Sequence, residues 1–246
     1  MTRTSPSLQI LLTAAAAVAS LSTTALANTA AQPRMLVIEE NTMAYGPMIV
    51  DVQKNGIRME TVDHEKTILC AAPSWDACLF NNKRKRIYKR PYAVWSQHGM
   101  QTALSMQIND FSERAVRERQ ILYYGLAACE YAFPRRHVKI ADYITTNAID
   151  VDPRVSKFVS SLFDCPLTDK GILMRFRRMA GRTFGFGLKY NEEKSIEICV
   201  ETKKASYAPL DQKLFVAPTD YKPASDGEIF VDPAASNAAF KDLLNP

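Results

Sequence analysis

The chain has 246 residues, a formal net charge of +5 at pH 7 and 47% hydrophobic residues, which is enough apolar content for one sizeable core. So mild a positive charge favours solubility over dedicated nucleic-acid binding. The five cysteines are too widely spread for a metal cluster and include no CxxC pair. We therefore expect no metal, no cofactor and no nucleic-acid partner.

The N-terminus predicts export. Arg3 precedes an apolar stretch, Leu8–Leu21, and Ala25-Leu26-Ala27 has the A-x-A form of a cleavage site. The stretch is short and broken by Thr and Ser, whereas a membrane span needs about 20 strongly apolar residues. We expect a signal peptide over residues 1–27, cleavage after Ala27, and a periplasmic or secreted single domain over residues 28–246.

Alternating apolar residues separated by turn signals predict an antiparallel meander in the first half of the chain. Asn55-Gly56 is the strongest short hairpin signal, because both central residues must reach positive φ. The predicted strands are Arg34–Asn41, Gly46–Gln53, Ile57–Val62, Lys66–Ala71, Ala77–Phe80 and a basic strand from Lys83 to Arg90.

Cys70 and Cys78 are equally far from Ser74, which lies at the tip of one predicted hairpin. They could therefore face each other across neighbouring strands, and we expect them to form a disulfide. The alternative is a pair of small buried hydrophobic side chains, as free cysteines often are.

A basic surface is predicted next to this hairpin. On a strand, successive side chains point to opposite faces, so cations would occupy both faces and neither would suit a core. We expect this strand at or beyond a sheet edge, where lysines block edge-to-edge pairing. The alternative is contact with an anionic membrane surface or an anionic partner. The cations are Lys83, Arg84, Lys85, Arg86, Lys89 and Arg90.

The second half predicts further strands and one clear helix. Ser112–Leu126 fits a helix capped by Ser112 or a strand, and its Tyr and Ile content favours strands over Arg119–Phe133. The other predicted elements are the strands His137–Thr146, Ile172–Met179, Thr183–Tyr190 and Lys194–Lys204 and a last helix, Ala234–Leu244.

The clear helix begins at Asp152, a good N-cap, followed by Pro153, which suits a first helical turn. Pro166 ends it. Its apolar residues fall at i, i+3, i+4 and i+7, so one face needs a surface to lie on, and a curved sheet would provide it. These residues are Val155, Phe158, Val159 and Leu162.

Two stretches resemble LolA-like exported proteins: CPLTDKGILMRF (Cys165–Phe176) after the helix, and LFVAPTDYKPA (Leu214–Ala224) near the end. The resemblance implies a mainly β, α+β fold: a curved antiparallel sheet forming an incomplete β-barrel covered by helices. LolA and LolB hold the acyl chains of lipoproteins in that hollow. Arg90 to Trp95 shares Arg-Pro and a tryptophan with the LolA pattern but lacks its glycine. LolB also carries a lipid anchor, and no anchor cysteine lies near the predicted cut. The resemblance therefore implies the fold rather than the carrier itself.

The sequence contains no recognisable catalytic motif. His64, His98 and His137 have no second histidine at i+4, so no HExxH zinc site exists. Glu39 and Glu40 are adjacent, so on a strand they point to opposite faces and form no acid–base pair. We therefore expect no enzymatic activity.

The predicted function is an exported protein that holds a lipid, a lipoprotein acyl chain or another apolar group in the concave face. The alternative is a structural or partner-binding envelope protein whose core is filled by its own side chains. Methionines adapt to irregular shapes, as a lipid site requires. The predicted lining residues are Met48, Ile57, Met59, Trp75, Phe80, Trp95, Leu104 and Met106.

Overall fold

The computed structural model describes residues 33–99, 114–135, 138–165, 167, 171–179, 196–225 and 228–229. All of them belong to one compact unit, residues 32–246. The predicted signal peptide, the strand Thr183–Tyr190 and the last helix lie outside the described residues, and they stay predictions.

The described residues form a mainly β fold with a single curved, open sheet of twelve strands and two α-helices. The strands are β1 Arg34–Thr42, β2 Gly46–Gln53, β3 Gly56–Thr61, β4 Lys66–Ala71, β5 Ala77–Asn81, β6 Arg86–Arg90, β7 Val116–Tyr123, β8 Leu126–Arg135, β9 Val138–Thr146, β10 Ile172–Met179, β11 Ile196–Pro209 and β12 Lys222–Pro223. The helices are α1 Tyr92–His98 and α2 Pro153–Phe163.

The sheet consists of two meanders joined in the middle: the first meander contains β1 to β6, and the second contains β7 to β11. Its strand order is β12-β6-β5-β4-β3-β2-β1-β11-β10-β9-β8-β7. The first meander confirms the predicted hairpins, and the strands predicted over Arg119–Phe133 are confirmed as β7 and β8. The two halves meet where β1 pairs with β11, from Arg34 opposite Pro209 to Thr42 opposite Val200. The sheet is larger than the sequence indicated and is not closed into a barrel.

The β2–β3 hairpin forms as predicted, but its glycine has a different role. Gln53 pairs with Gly56, so the loop residues are Lys54 and Asn55, and neither has positive φ. A Cβ on Gly56 would lie 2.7 Å from the Cβ of Ala71 on β4. The glycine is therefore required by the close approach of β3 and β4.

Helix α2 confirms the prediction from its apolar spacing. The Asp152 side chain accepts a hydrogen bond from the Arg154 amide at 2.9 Å, which satisfies one of the free donors of the first turn. The chain leaves the helix through Asp164 in the left-handed region. All four residues of the predicted stripe are buried, so this face of the helix packs on the protein.

Helix α1 was not predicted. It follows Pro91 and carries Trp95, whose indole N–H donates to the Trp75 carbonyl at 2.8 Å. The Trp95 ring meets Phe158 of α2 edge-on, with centroids 5.5 Å apart. Both helices therefore pack together against the turn between β4 and β5.

The sheet has two chemically different faces. The helix-side face carries alternate apolar residues of neighbouring strands, including Leu36, Ile38, Val50 and Met59, which share one core with α1 and α2. On the first meander, the opposite face builds a second, smaller core. Its buried members are Met35, Leu69, Ala71, Cys78, Phe80, Ile87 and Phe215.

The predicted Cys70–Cys78 disulfide is wrong. Cys70 pairs with Ala77 and Cys78 with Leu69, which centres the turn between Pro73 and Ser74 instead of at Ser74. A one-residue shift in register moves a side chain to the other face, so the two thiols lie in different cores. The alternative holds: Cys70 and Cys78 are both free and buried, and Cys129, Cys165 and Cys199 are buried as well.

The basic strand is shorter than predicted and contributes to a core. Lys83 to Lys85 belong to the turn, and β6 begins at Arg86. Ile87 is buried beside Leu69 and Phe80, so the prediction that neither face suits a core is wrong. The location near a sheet edge is confirmed, because β12 covers only two residues of β6.

The segment Leu214–Ala224 is mostly irregular. It begins inside a 3-10 helix, Gln212–Phe215, and only Lys222 and Pro223 pair with β6, in parallel. Phe215 lies in the second core, so this segment packs against the face opposite to the helices.

Candidate binding site beneath helix α2

We call the buried region between the helix-side face and helices α1 and α2 the helix-side core. Five of the eight predicted lining residues lie in it: Met48, Ile57, Met59, Trp75 and Trp95. Phe80 lies on the opposite face, where its ring meets Tyr221 edge-on at 5.9 Å. Leu104 and Met106 lie outside the described residues.

Helix α2 crosses the sheet from one set of turns to the other. Near its start, the Asp152 amide donates to the Lys54 carbonyl at 2.8 Å in the β2–β3 loop. The Arg154 guanidinium lies 4.2 Å above the Trp75 ring, a cation–π contact. At its end, the Phe163 ring is 6.3 Å from Tyr45 in the β1–β2 turn. The helix therefore spans the strand length of the first meander.

Large side chains fill the helix-side core. Trp95 and Phe158 lie at the helices, while Phe133, Tyr143 and Phe176 extend the core across β8, β9 and β10, and all five are almost completely buried. The Tyr131 and Tyr143 rings stack at 4.8 Å. Any apolar ligand entering here must displace some of these side chains or move α2 outward.

One carboxyl group is buried in this apolar environment. Glu40 is 4% exposed and lies on the same face of β1 as Leu36 and Ile38. Its cross-strand neighbours are Met48 on β2 and Thr202 on β11. Among the described residues, none donates a hydrogen bond to Glu40 Oε1.

Burial raises the pKa of Glu40 to about 8, and burial is the sole cause of this shift. The carboxyl is therefore mostly protonated at neutral pH, when it carries one O–H donor. The prediction that Glu39 and Glu40 face opposite sides is confirmed, because Glu39 is exposed and its Oε1 lies 2.9 Å from Lys204 Nζ.

Glu40 was not recognised from the sequence as a site residue. The signal was present, because Glu40 occupies the position where the alternation of β1 calls for an apolar residue. An acidic residue on the apolar face of a strand, next to an acidic residue on its exposed face, indicates a buried carboxyl.

On the opposite face, carboxylates are paired with arginines. In the first meander, Arg58 donates to Asp51 Oδ2 at 3.1 Å, and its other terminal nitrogen lies 2.7 Å from Glu60 Oε1. In the second meander, Arg175 donates to Glu130 at 2.8 Å and to Asp142 at 3.0 Å. Burial alone would raise the pKa of Glu60, but His64 and Arg58 outweigh it and lower that pKa.

The predicted basic surface is partly covered by the chain itself. Arg84 donates to the Ile229 carbonyl at 3.1 Å, Lys85 Nζ lies 3.5 Å from Asp220, and Arg86 donates to Glu228 at 3.1 Å. Lys83 and Lys89 remain exposed, whereas Arg90 is half-buried. Contact of this surface with an anionic membrane or partner stays a prediction.

No group of three or more potential metal ligands is present among the described residues. Within the same part of the chain, neither helix is long and apolar enough to cross a membrane.

No protein-family model and no curated protein matches this chain. The solved structures similar to this chain include that of an uncharacterized conserved protein from Thermus thermophilus. It has 8% sequence identity and a TM-score of 0.39, and the alignment covers 79% of this chain and 91% of that chain. A score of this size supports no argument about function.

Proposed function

We propose that the protein is an exported, LolA-like binding protein that holds a lipid or another apolar group and performs no catalysis. In this proposal the open sheet is an incomplete β-barrel, and the ligand lies in its concavity between the helix-side face and α2. The observation that carries the proposal is a broad apolar face covered by an amphipathic helix instead of a second sheet.

The composition of the helix-side core supports a ligand of variable shape. Met48, Met59 and Met174 are all buried there. Their unbranched side chains change rotamer at little cost, so they can make room for an acyl chain and close again after its release. Protein interiors are otherwise close-packed and resist insertion.

A second candidate is a structural or partner-binding envelope protein whose core admits no ligand. The near-complete burial of Trp95, Phe158 and Phe176 favours it, because these rings occupy the space beneath the helices. The two candidates differ in whether an acyl chain can reach Trp95.

The test uses contact quenching of tryptophan by bromine. The chain has two tryptophans, Trp75 and Trp95, and both lie in the helix-side core. In a Trp75→Phe variant, Trp95 is the sole reporter. We expect dibromostearic acid to quench Trp95 saturably, whereas unbrominated stearic acid does not.

The matched control is a Phe80→Trp, Trp75→Phe, Trp95→Phe variant, whose sole tryptophan lies in the opposite core and should not be quenched. Mass spectrometry of lipids extracted from the purified protein provides an independent check. Absence of both quenching and co-purified lipid would support the second candidate.

A further inference from the structure

Glu40 is a feature of the helix-side core that apolar packing does not explain. Its carboxyl replaces an apolar side chain in the alternation of β1, between Ile38 and Thr42 on the same face. Burying a carboxyl among apolar side chains costs free energy, even when it is protonated, unless it is hydrogen-bonded.

The polar side chains nearest to Glu40 in the sheet are committed to other partners. Thr202, directly opposite on β11, donates its hydroxyl to the Met174 carbonyl at 2.6 Å. Thr42 donates to the Gly46 carbonyl at 3.1 Å and accepts from the Tyr45 amide at 3.0 Å. Among the described residues, Glu40 Oε1 therefore has no partner.

The protonation state of Glu40 defines the ligand group that it would prefer. Burial holds its pKa at about 8, so at neutral pH the group is mainly a hydrogen-bond donor and not an anion. A donor in an apolar core is satisfied by a carbonyl oxygen, whereas an ionised carboxylate would instead attract an amine.

We propose that Glu40 is the polar anchor of the binding site and donates a hydrogen bond to the ester or amide carbonyl of an acylated ligand. The inference rests on the proposed function and adds the chemical class of the ligand. The acyl chain would lie among Met48, Met59 and Phe158, with its carbonyl near the β1–β2 end of the sheet.

The experiment measures displacement of dibromostearic acid, followed as recovery of Trp95 fluorescence in the Trp75→Phe protein. The competitors are methyl laurate and tridecane, which have the same number of carbon atoms and differ in the ester group. One neutral hydrogen bond corresponds to about a two- to tenfold preference, so we expect methyl laurate to bind more tightly by that factor.

The variants separate the hydrogen bond from the packing. Glu40→Met should abolish the preference for the ester while tridecane binds at least as tightly. Glu40→Gln keeps an N–H donor and should retain part of the preference. Glu39→Gln, on the exposed side of the same strand, should behave as the unaltered protein.

The outcomes test the Glu40 hydrogen bond separately from the binding of an apolar ligand. Equal binding of methyl laurate and tridecane would overturn the anchor and leave the proposed function intact. Stronger binding of dodecylamine than of methyl laurate would overturn the donor role, because it requires an ionised Glu40. Failure of every probe to bind would refute the proposed function and this inference together.

If the ester is preferred, lauroyl-glycine methyl amide and a lauroyl glycerolipid distinguish an amide-linked from an ester-linked source.

Discussion

The two faces of the sheet place buried carboxyl groups in different environments. On the face opposite to the helices, Asp51 and Glu60 flank Arg58, and Glu130 and Asp142 flank Arg175. On the helix-side face, burial raises the pKa of Glu40, and no cation among the described residues opposes it. A guanidinium beside a buried carboxyl opposes the rise in pKa that burial causes, whereas the pKa of Glu40 is raised by burial without such an opposing charge.

Breaking the pairing on the opposite face should produce the largest effect. Arg58→Met leaves Asp51 and Glu60 as buried charges without their guanidinium, and Arg58 itself is only 13% exposed. Removing one partner of a buried pair costs about 3–5 kcal/mol, so we expect a loss of this size in the free energy of unfolding by urea at pH 7. The loss should shrink as the pH is lowered, because both carboxyls can then take up protons.

The control for this variant is Lys204→Met. Its partner Glu39 is exposed, and exposed pairs contribute about 0–1 kcal/mol. A loss for Arg58→Met no greater than that of Lys204→Met would show that the two faces do not differ as described.

The pH dependence of stability gives a second contrast. Glu40 has a pKa of about 8 in the folded protein against 4.5 as its ordinary value, so the folded state holds one more proton between these pH values. Stability due to this proton is fully present below pH 4.5 and is lost as the pH rises towards 8, at about 1.4 kcal/mol per pH unit.

Glu40→Gln should remove this slope, because the amide does not titrate, and the variant should be more stable than the unaltered protein at pH 8. Urea unfolding at a series of pH values measures both effects. Glu39→Gln should keep the slope. A slope unchanged in Glu40→Gln would mean that Glu40 is ionised in the folded protein.

Local patterns in the sequence predict much of the fold. The alternation in β1 to β5 and the stripe of α2 are signals within one element, and each was sufficient for an assignment. The pairing of β1 with β11 is not local, because it joins residues more than 150 positions apart, such as Leu36 and Tyr207. No turn or periodicity encodes such a contact, and for that reason the size of the sheet was not predicted.

The candidate site was predicted only in part. The sequence predicted Met48, Met59 and Trp95 on the concave face, and they lie in the helix-side core. The face on which a side chain lies depends on strand register, and Phe80 lies on the opposite face. The same dependence on register led to the wrong disulfide. Helix α1 has seven residues, too few to show a helical period.

The most direct test of the account is the infrared carbonyl band of Glu40. A protonated carboxyl without a hydrogen bond absorbs at higher frequency than a hydrogen-bonded one. The difference spectrum between the unaltered protein and Glu40→Gln isolates the Glu40 band. At pH 6 we expect such a band, shifted to lower frequency by methyl laurate with a carbon-13 carbonyl and unmoved by tridecane. A carboxylate band at that pH, or a carboxyl band that methyl laurate leaves in place, would contradict the account.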